Sequence, residues 1–272
     1  LNDFAKDGIN HAEYKTFLTL LNPVAPHITE EIWQACGFEG HLYQQKWPEF
    51  EETKTIENTI ELPVQINGKT KEVIEVPADI SKEDEVKHVI ADIKEHFGKI
   101  DVLINTAGIP GPSARTEDYS FEDVKKVYGV NVFGTFLMMQ NVLPVMQTQK
   151  SGVVINFGSV SGMFGYPYEI GYGSSKAAVI FMTKNAANEN GGNGVRINSI
   201  SPGWVDTKMM KNVLDSYKDV GIENSSDNVT LGPMKRPATP EEIANVVAFL
   251  ASEKASYVNG SNFLVDGGMT LG

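Results

Sequence analysis

At 272 residues, 41% of them hydrophobic and 21% charged, the chain has ample material for a packed core, as one large α/β domain or one domain with an appendage. Its net charge of −12 disfavours a polyanion partner such as nucleic acid, and no apolar run approaches the ~20 residues that span a bilayer, so no membrane partner is expected. One cysteine, Cys36, cannot form an internal disulfide, and the N-terminus lacks a basic patch followed by an apolar stretch, so a reducing, cytoplasmic setting is expected.

The chain opens on Leu1 rather than Met, as a fragment, a processed product or an unusual start would. Residues 12–37 read as helical material, with Tyr14, Phe17, Leu18 and Leu21 at three- and four-residue spacings. Pro23 and Pro26 interrupt the pattern, and Thr29 is expected near an N-cap for Glu30-Glu31-Ile32-Trp33. Ile60 to Ile66 then alternates, Asn67-Gly68 follows, and Lys69 to Val76 alternates again. Asn-Gly between alternating runs predicts a β-hairpin, with Val64, Ile66, Ile74 and Val76 as candidates for its buried face.

Leu20-Leu21-Asn22-Pro23-Val24-Ala25-Pro26-His27-Ile28-Thr29-Glu30-Glu31-Ile32-Trp33, Lys46-Trp47-Pro48, Val64-Gln65-Ile66-Asn67-Gly68-Lys69 and Ile74-Glu75-Val76-Pro77 stand in an order that resembles the C-terminal region of bacterial leucyl-tRNA synthetases. The resemblance covers about residues 1–78 and implies the end of the anticodon-binding helices and the start of a small C-terminal domain. It implies no aminoacylation chemistry. Residues 1–79 hold six lysines, no arginine and fourteen acids, so independent tRNA binding is disfavoured. His27 has no ligand cluster beside it, and no metal site is expected.

From Asp79 onward, helices and strands alternate. Glu83–Phe97 is predicted as an amphipathic helix with Val86, Val89, Ile90, Ile93 and Phe97 on one stripe, ended by Gly98. Strand 100–105, a long helix over Phe121–Gln147, strand 153–157, a helix from near Tyr172, strand 195–200, a helix over 241–251 and strand 262–265 follow. This alternation predicts parallel βαβ units with helices on both sheet faces, and a ligand site at the carboxyl ends of the strands.

Tyr172 and Lys176 lie four residues apart, on one face of a predicted helix. An ammonium that close to a phenol is expected to lower its pKa and ready it for proton exchange with an alcohol or ketone. Tyr-x-x-x-Lys is common by chance, Ser159 alone reads equally as a turn residue, and Asn131 reads as a local hydrogen-bonding residue. Together with Asn105-Thr106-Ala107-Gly108, Pro202-Gly203 and Asp266-Gly267-Gly268, at these intervals, they resemble the short-chain dehydrogenase/reductase family.

The resemblance implies hydride transfer between a nicotinamide cofactor, NAD or NADP, and a small-molecule alcohol or ketone. It implies Tyr172 as acid/base, Lys176 lowering its pKa and bonding the nicotinamide ribose, Ser159 holding the substrate oxygen, and Asn131 fixing the helix and a proton-relay water. Asn105, Ala107 and Gly108 would also face the cofactor, Pro202, Gly203, Val205 and Thr207 would close on the nicotinamide, and Asp79 would lie near the adenine. A homo-oligomer pairing the helices around 121–147 and 172–189 is implied too. Ser161–Ile170 and Lys208–Leu231 would shape the substrate pocket.

The family's glycine-rich phosphate turn is not found. Before residue 98 the glycines are Gly8, Gly37, Gly40 and Gly68, far apart. The chain is therefore expected to be a chimera joined near Asp79: a synthetase-like segment over 1–78 and an incomplete dehydrogenase over 79–272. The fold expected is α/β, an incomplete doubly wound, Rossmann-like parallel sheet preceded by a helical segment and a hairpin, with cofactor binding impaired.

Overall fold

The structure is a computed structural model that describes residues 11–22, 25–46, 59–66, 69–77, 79–221 and 231–271. It divides into two compact units, Leu1–Glu57 and Asn58–Gly272.

In the first unit, α1 (His11–Leu21) and α2 (Pro26–Ala35) surround a small core of Leu18, Trp33, Phe38 and Leu42. Trp33 donates its indole N–H to the Gly40 carbonyl at 3.1 Å. Pro26 opens α2 because the first helical position needs no N–H, which places the N-cap at Ala25. Thr29 is therefore not an N-cap. It is fully buried inside the helix, where its hydroxyl donates to the Ala25 carbonyl at 2.8 Å.

The second unit begins with an antiparallel hairpin, β1 (Thr59–Ile66) and β2 (Lys69–Pro77), with a register shift between Val64 and Gln65. The Asn67-Gly68 turn and the expected buried face of this hairpin lie outside the described residues and side chains. The hairpin forms its own sheet. A separate four-stranded parallel sheet runs in the order β3 (Val102–Asn105), β4 (Gly152–Phe157), β5 (Val195–Pro202), β6 (Asn262–Val265).

Successive side chains on β4 point to opposite faces and enter different cores. Val154 joins Val86, Leu103, Val142, Met146 and Ile197 beneath α3 (Glu83–Phe97), α5 (Thr135–Gln149) and α6 (Ile170–Asn190). Ile155 joins Ile200, Ile243 and Leu250 beneath α8 (Pro240–Ala251). Gly98 ends α3 in the left-handed region at φ +72°, and Thr239 with Glu242 builds a capping box at the start of α8. On β3, Leu103 is buried but Val102 and Ile104, on the opposite face, are 38% and 43% exposed. No described strand pairs with the outer edge of β3.

The long helix predicted over Phe121–Gln147 is interrupted. α4 (Phe121–Tyr128) passes into a π-turn, Gly129–Gly134, before α5 begins. The wider turn falls where Ile80 packs on the helix: a Cβ on Gly134 would lie 2.6 Å from Ile80 Cδ1. π-Turns recur at functional sites, and this one carries Asn131. The helical run Phe121–Gln149 is long and apolar enough to cross a membrane by length and composition, contrary to the reading of apolar runs above. Its Val142 and Met146 are completely buried in the α/β core, the behaviour of a core helix.

Candidate active site

The carboxyl ends of β3, β4 and β5 open onto a cavity of about 820 Å3. Thr106 and Gly108 reach it from the loop after β3, Ser159 from the turn after β4, and Pro202, Gly203, Val205 and Thr207 from the segment after β5. Tyr172 and Lys176 reach it from the first turns of α6.

The turn after β4, which carries Ser159, and the first turns of α6, which carry Tyr172, meet backbone to backbone. A Cβ on Gly162 would lie 2.7 Å from the Lys176 carbonyl carbon, and one on Gly173 would lie 2.8 Å from the Ser161 oxygen. Glycine at both points lets the turn after β4 lie directly on α6. Ser159 Oγ accepts a hydrogen bond from the Ser161 N–H at 3.2 Å.

Asn131 is completely buried and organises the floor. Its side-chain oxygen accepts from the Ile109 N–H at 2.8 Å, while its amide donates to the Ile109 carbonyl at 3.0 Å and to Ser175 Oγ at 2.9 Å. One side chain thus ties the loop after β3 to α6. Asn105 acts below this level, donating to Asn156 Oδ1 at 2.8 Å.

Lys176 is 5% exposed and donates from Nζ to the Phe157 carbonyl at 2.9 Å. Nζ lies 5.7 Å from the Tyr172 ring centroid. Burial lowers the Lys176 pKa to about 8. Tyr172 as a whole residue is only half-buried, yet its phenol sits in dense surroundings. Burial pushes its pKa up to about 12, against a lowering hydrogen bond from Ser159 and with a further upward push from the Glu169 charge. The expected depression of the Tyr172 pKa is therefore reversed in this structure. Desolvation of the phenolate outweighs attraction to an ammonium whose hydrogen bond goes to a carbonyl.

Among the expected cofactor residues, Asp79 and Asn105 do not line the cavity. Asp79 accepts from the Ser81 N–H at 3.0 Å and from the Ser81 hydroxyl at 2.6 Å. Asn131, which is buried, and Ala107, which is exposed, do not line the cavity either. Thr207 lies on the wall and also caps α7 (Lys208–Ser216), accepting from the Met210 N–H at 3.4 Å.

A family model described as Enoyl-(Acyl carrier protein) reductase matches residues 54–270. Levodione reductase of Leifsonia aquatica is 39% identical over 203 residues, covering 73% of this chain and 75% of that protein. The chain belongs to the short-chain dehydrogenase/reductase family. Glucose 1-dehydrogenase 2 of Bacillus subtilis (strain 168), 38% identical over 216 residues, covers 79% of this chain and 80% of its own length. A solved structure of NAD+-bound xylitol dehydrogenase superposes with a TM-score of 0.67 at 33% identity, over 70% of this chain and 76% of that one. A second family model, the anticodon-binding domain of tRNA ligase, matches residues 9–88. The two matches overlap over residues 54–88, a span that includes the expected join at Asp79.

The residues at the nicotinamide end of such a dehydrogenase site fit a cofactor. Lys176 is a buried cation with one protein acceptor at Phe157 and further N–H groups to offer a sugar diol. Gly108 keeps the adjoining wall clear: a Cβ there would crowd Lys176 Nζ and Asn131 Oδ1, each at 3.2 Å. No glycine-rich turn precedes β3 in the given sequence.

The sequence reading singled out neither Glu169 nor Tyr217, which face the same cavity and are hydrogen-bonded at 2.9 Å. Both fall inside the stretches expected to shape the pocket. No motif spacing marks them, because the bond joins residues 48 apart through the fold.

Burial lowers Lys176 from the ordinary 10.5 to about 8, so between those values the unfolded chain binds the extra proton. Stability therefore rises with pH across that window and falls as pH drops through its lower end. Urea unfolding across the window, wild type against Lys176→Met, is expected to show the wild type gaining a few kcal/mol on the variant. Parallel curves would refute a neutral, desolvated Lys176.

Proposed function

We propose that the chain is an NAD- or NADP-linked oxidoreductase that interconverts a secondary alcohol and a ketone. The observation that carries this reading is the meeting of Ser159, Tyr172 and Lys176 on one cavity wall, braced from behind by Asn131. When bound, the nicotinamide accepts or supplies the hydride.

The chain's own residues handle the oxygen and the proton. With its pKa near 12, Tyr172 is a phenol at neutral pH, the form that donates to a ketone oxygen during reduction. The Ser159 hydroxyl holds that oxygen and stabilises charge on it. Lys176 presents its remaining N–H groups to the ribose, and Asn131 acts as a positioning residue through Ile109 and Ser175. Gly108, Pro202, Gly203, Val205 and Thr207 shape the nicotinamide end; Asn105 and Ala107 support the loop after β3, and Asp79 supports the turn before α3. In a ketone-reduction assay, Tyr172→Phe is expected to lower kcat by about 10²–10⁴. Unchanged turnover would remove Tyr172 from the mechanism.

Cofactor binding is weak in this reading. The amides of a glycine-rich turn that would grip the pyrophosphate are missing from the sequence, and β3 keeps an unpaired outer edge among the described residues. Fluorescence titration with NADH and NADPH is expected to give dissociation constants above about 100 μM; micromolar binding of either would refute the impairment.

The same observations favour a second reading, a fusion of a synthetase-like segment over 1–78 with a dehydrogenase-like segment over 79–272 that has no activity. The match of residues 9–88 to an anticodon-binding domain supports the first part of it. Absence of both turnover and cofactor binding would select this reading.

Association into a homo-oligomer is part of the proposal. Phe121, Phe133, Phe136 and Phe181, on the helices expected to pair, are 72%, 55%, 46% and 64% exposed. Four large aromatic side chains left this exposed are what association would cover. Sedimentation equilibrium is expected to show a dimer or larger, and Phe121→Ser with Phe181→Ser to shift it toward monomer. A monomeric wild type would overturn the association.

A further inference from the structure

The cavity carries a carboxylate that the chemistry above does not use. Glu169 occupies the N-cap position of α6, yet its side chain makes no cap hydrogen bond. It reaches across the cavity instead, and its Oε1 accepts from the Tyr217 hydroxyl at 2.9 Å. Its Oε2 is buried and has no hydrogen-bond partner. A carboxylate oxygen taken out of water without a donor is expensive, and such atoms in folded proteins call for an explanation.

The surroundings hold Glu169 in place at some cost. Tyr168, immediately before it, lies at φ +68°, a strained conformation for a bulky residue. That backbone is fixed on both sides: the Tyr168 carbonyl accepts from the Ala114 N–H at 3.3 Å, and the Glu169 carbonyl accepts from the Gly173 N–H at 2.7 Å. Tyr217 is fixed in turn, because Ser216 beside it pairs with Ser113 at 2.7 Å between hydroxyl oxygens. The wall beyond is largely apolar, with Trp204, Met209, Met210, Val213 and Met269.

We propose that Glu169 is a specificity residue of this site, whose carboxylate accepts a hydrogen bond from a hydroxyl or ammonium donor carried by the substrate beside its reacting carbonyl. The assignment rests on the oxidoreductase reading. The terminal torsion of glutamate is broad, so a small rotation turns the unpartnered oxygen toward a donor while Tyr217 keeps hold of the group. A plain ketone offers nothing to that oxygen; a hydroxyketone or aminoketone does. Glu169 thus adds a polar requirement beside a largely apolar stretch of the cavity wall.

Binding to the whole chain, measured by NMR titration without cofactor, tests this independently of turnover. Butanone, hydroxyacetone and aminoacetone are close in size and differ in the donor. Wild type is expected to bind hydroxyacetone and aminoacetone about tenfold tighter than butanone, the scale of a hydrogen bond to a charged group. Glu169→Gln, nearly isosteric, is expected to keep the preference for hydroxyacetone, which the amide oxygen still accepts, and to lose that for aminoacetone. Glu169→Leu is expected to lose both. A purely structural Glu169 would shift all three ketones together. Equal affinities in wild type, preferences that survive Glu169→Leu, or no saturable binding of either donor-bearing ketone would overturn the assignment. Should Glu169→Leu fail to fold, the split seen in Glu169→Gln decides alone. Donor preference without any turnover would leave this inference standing and sink the oxidoreductase reading.

Discussion

The site depends on how closely the turn after β4 approaches α6. Gly162 lies against the Lys176 backbone and Gly173 against the Ser161 carbonyl, at distances where a side chain on either would force the two apart. That contact puts Ser159 beside Tyr172 and seats Lys176 against the Phe157 carbonyl. It also excludes water, and the electrostatics follow from the exclusion. Both charged forms are penalised, so the phenol holds its proton more firmly and the amine more loosely than either would in solvent.

The parallel sheet sets the limits of this arrangement. Parallel strands are normally covered on both faces and paired on both edges within a sheet, because their side chains form near-continuous apolar runs. β4 and β5 meet that condition, with completely buried residues feeding two cores. β3 does not: Val102 and Ile104 stay partly in solvent on the face that α8 covers over β4 and β5.

The cavity wall divides into two chemistries. Ser159, Tyr172 and Lys176 form the polar group on which the proposed chemistry rests, while Glu169 and Tyr217 form a second polar point on a mostly apolar surface. The first group serves the proposed exchange between an alcohol and a ketone. The second is the point where the proposed discrimination among substrates would act, through the unpartnered Glu169 oxygen.

Most elements of the second unit were legible in the sequence because their patterns are local. The stripe Val86, Val89, Ile90 marks a helix whatever surrounds it, Gly98 marks its end, and short apolar runs between helices mark parallel strands. The family was legible for a related reason: Asn131, Ser159, Tyr172 and Lys176 keep their intervals along the chain. Thr29 was misplaced because a proline three residues earlier takes over the helix start, and the π-turn went unseen because no local residue pattern marks it, although Ile80 packs against it at Gly134.

The α/β alternation, the identity of the catalytic candidates and the lack of a glycine-rich phosphate turn could be read before any fold was known, since each is carried by residue type and spacing. The direction in which Tyr172 and Lys176 shift and the pairing of Glu169 with Tyr217 came from the folded arrangement alone. Those depend on which groups lose water and which meet across the fold, and neither is written in the spacing of neighbours along a chain.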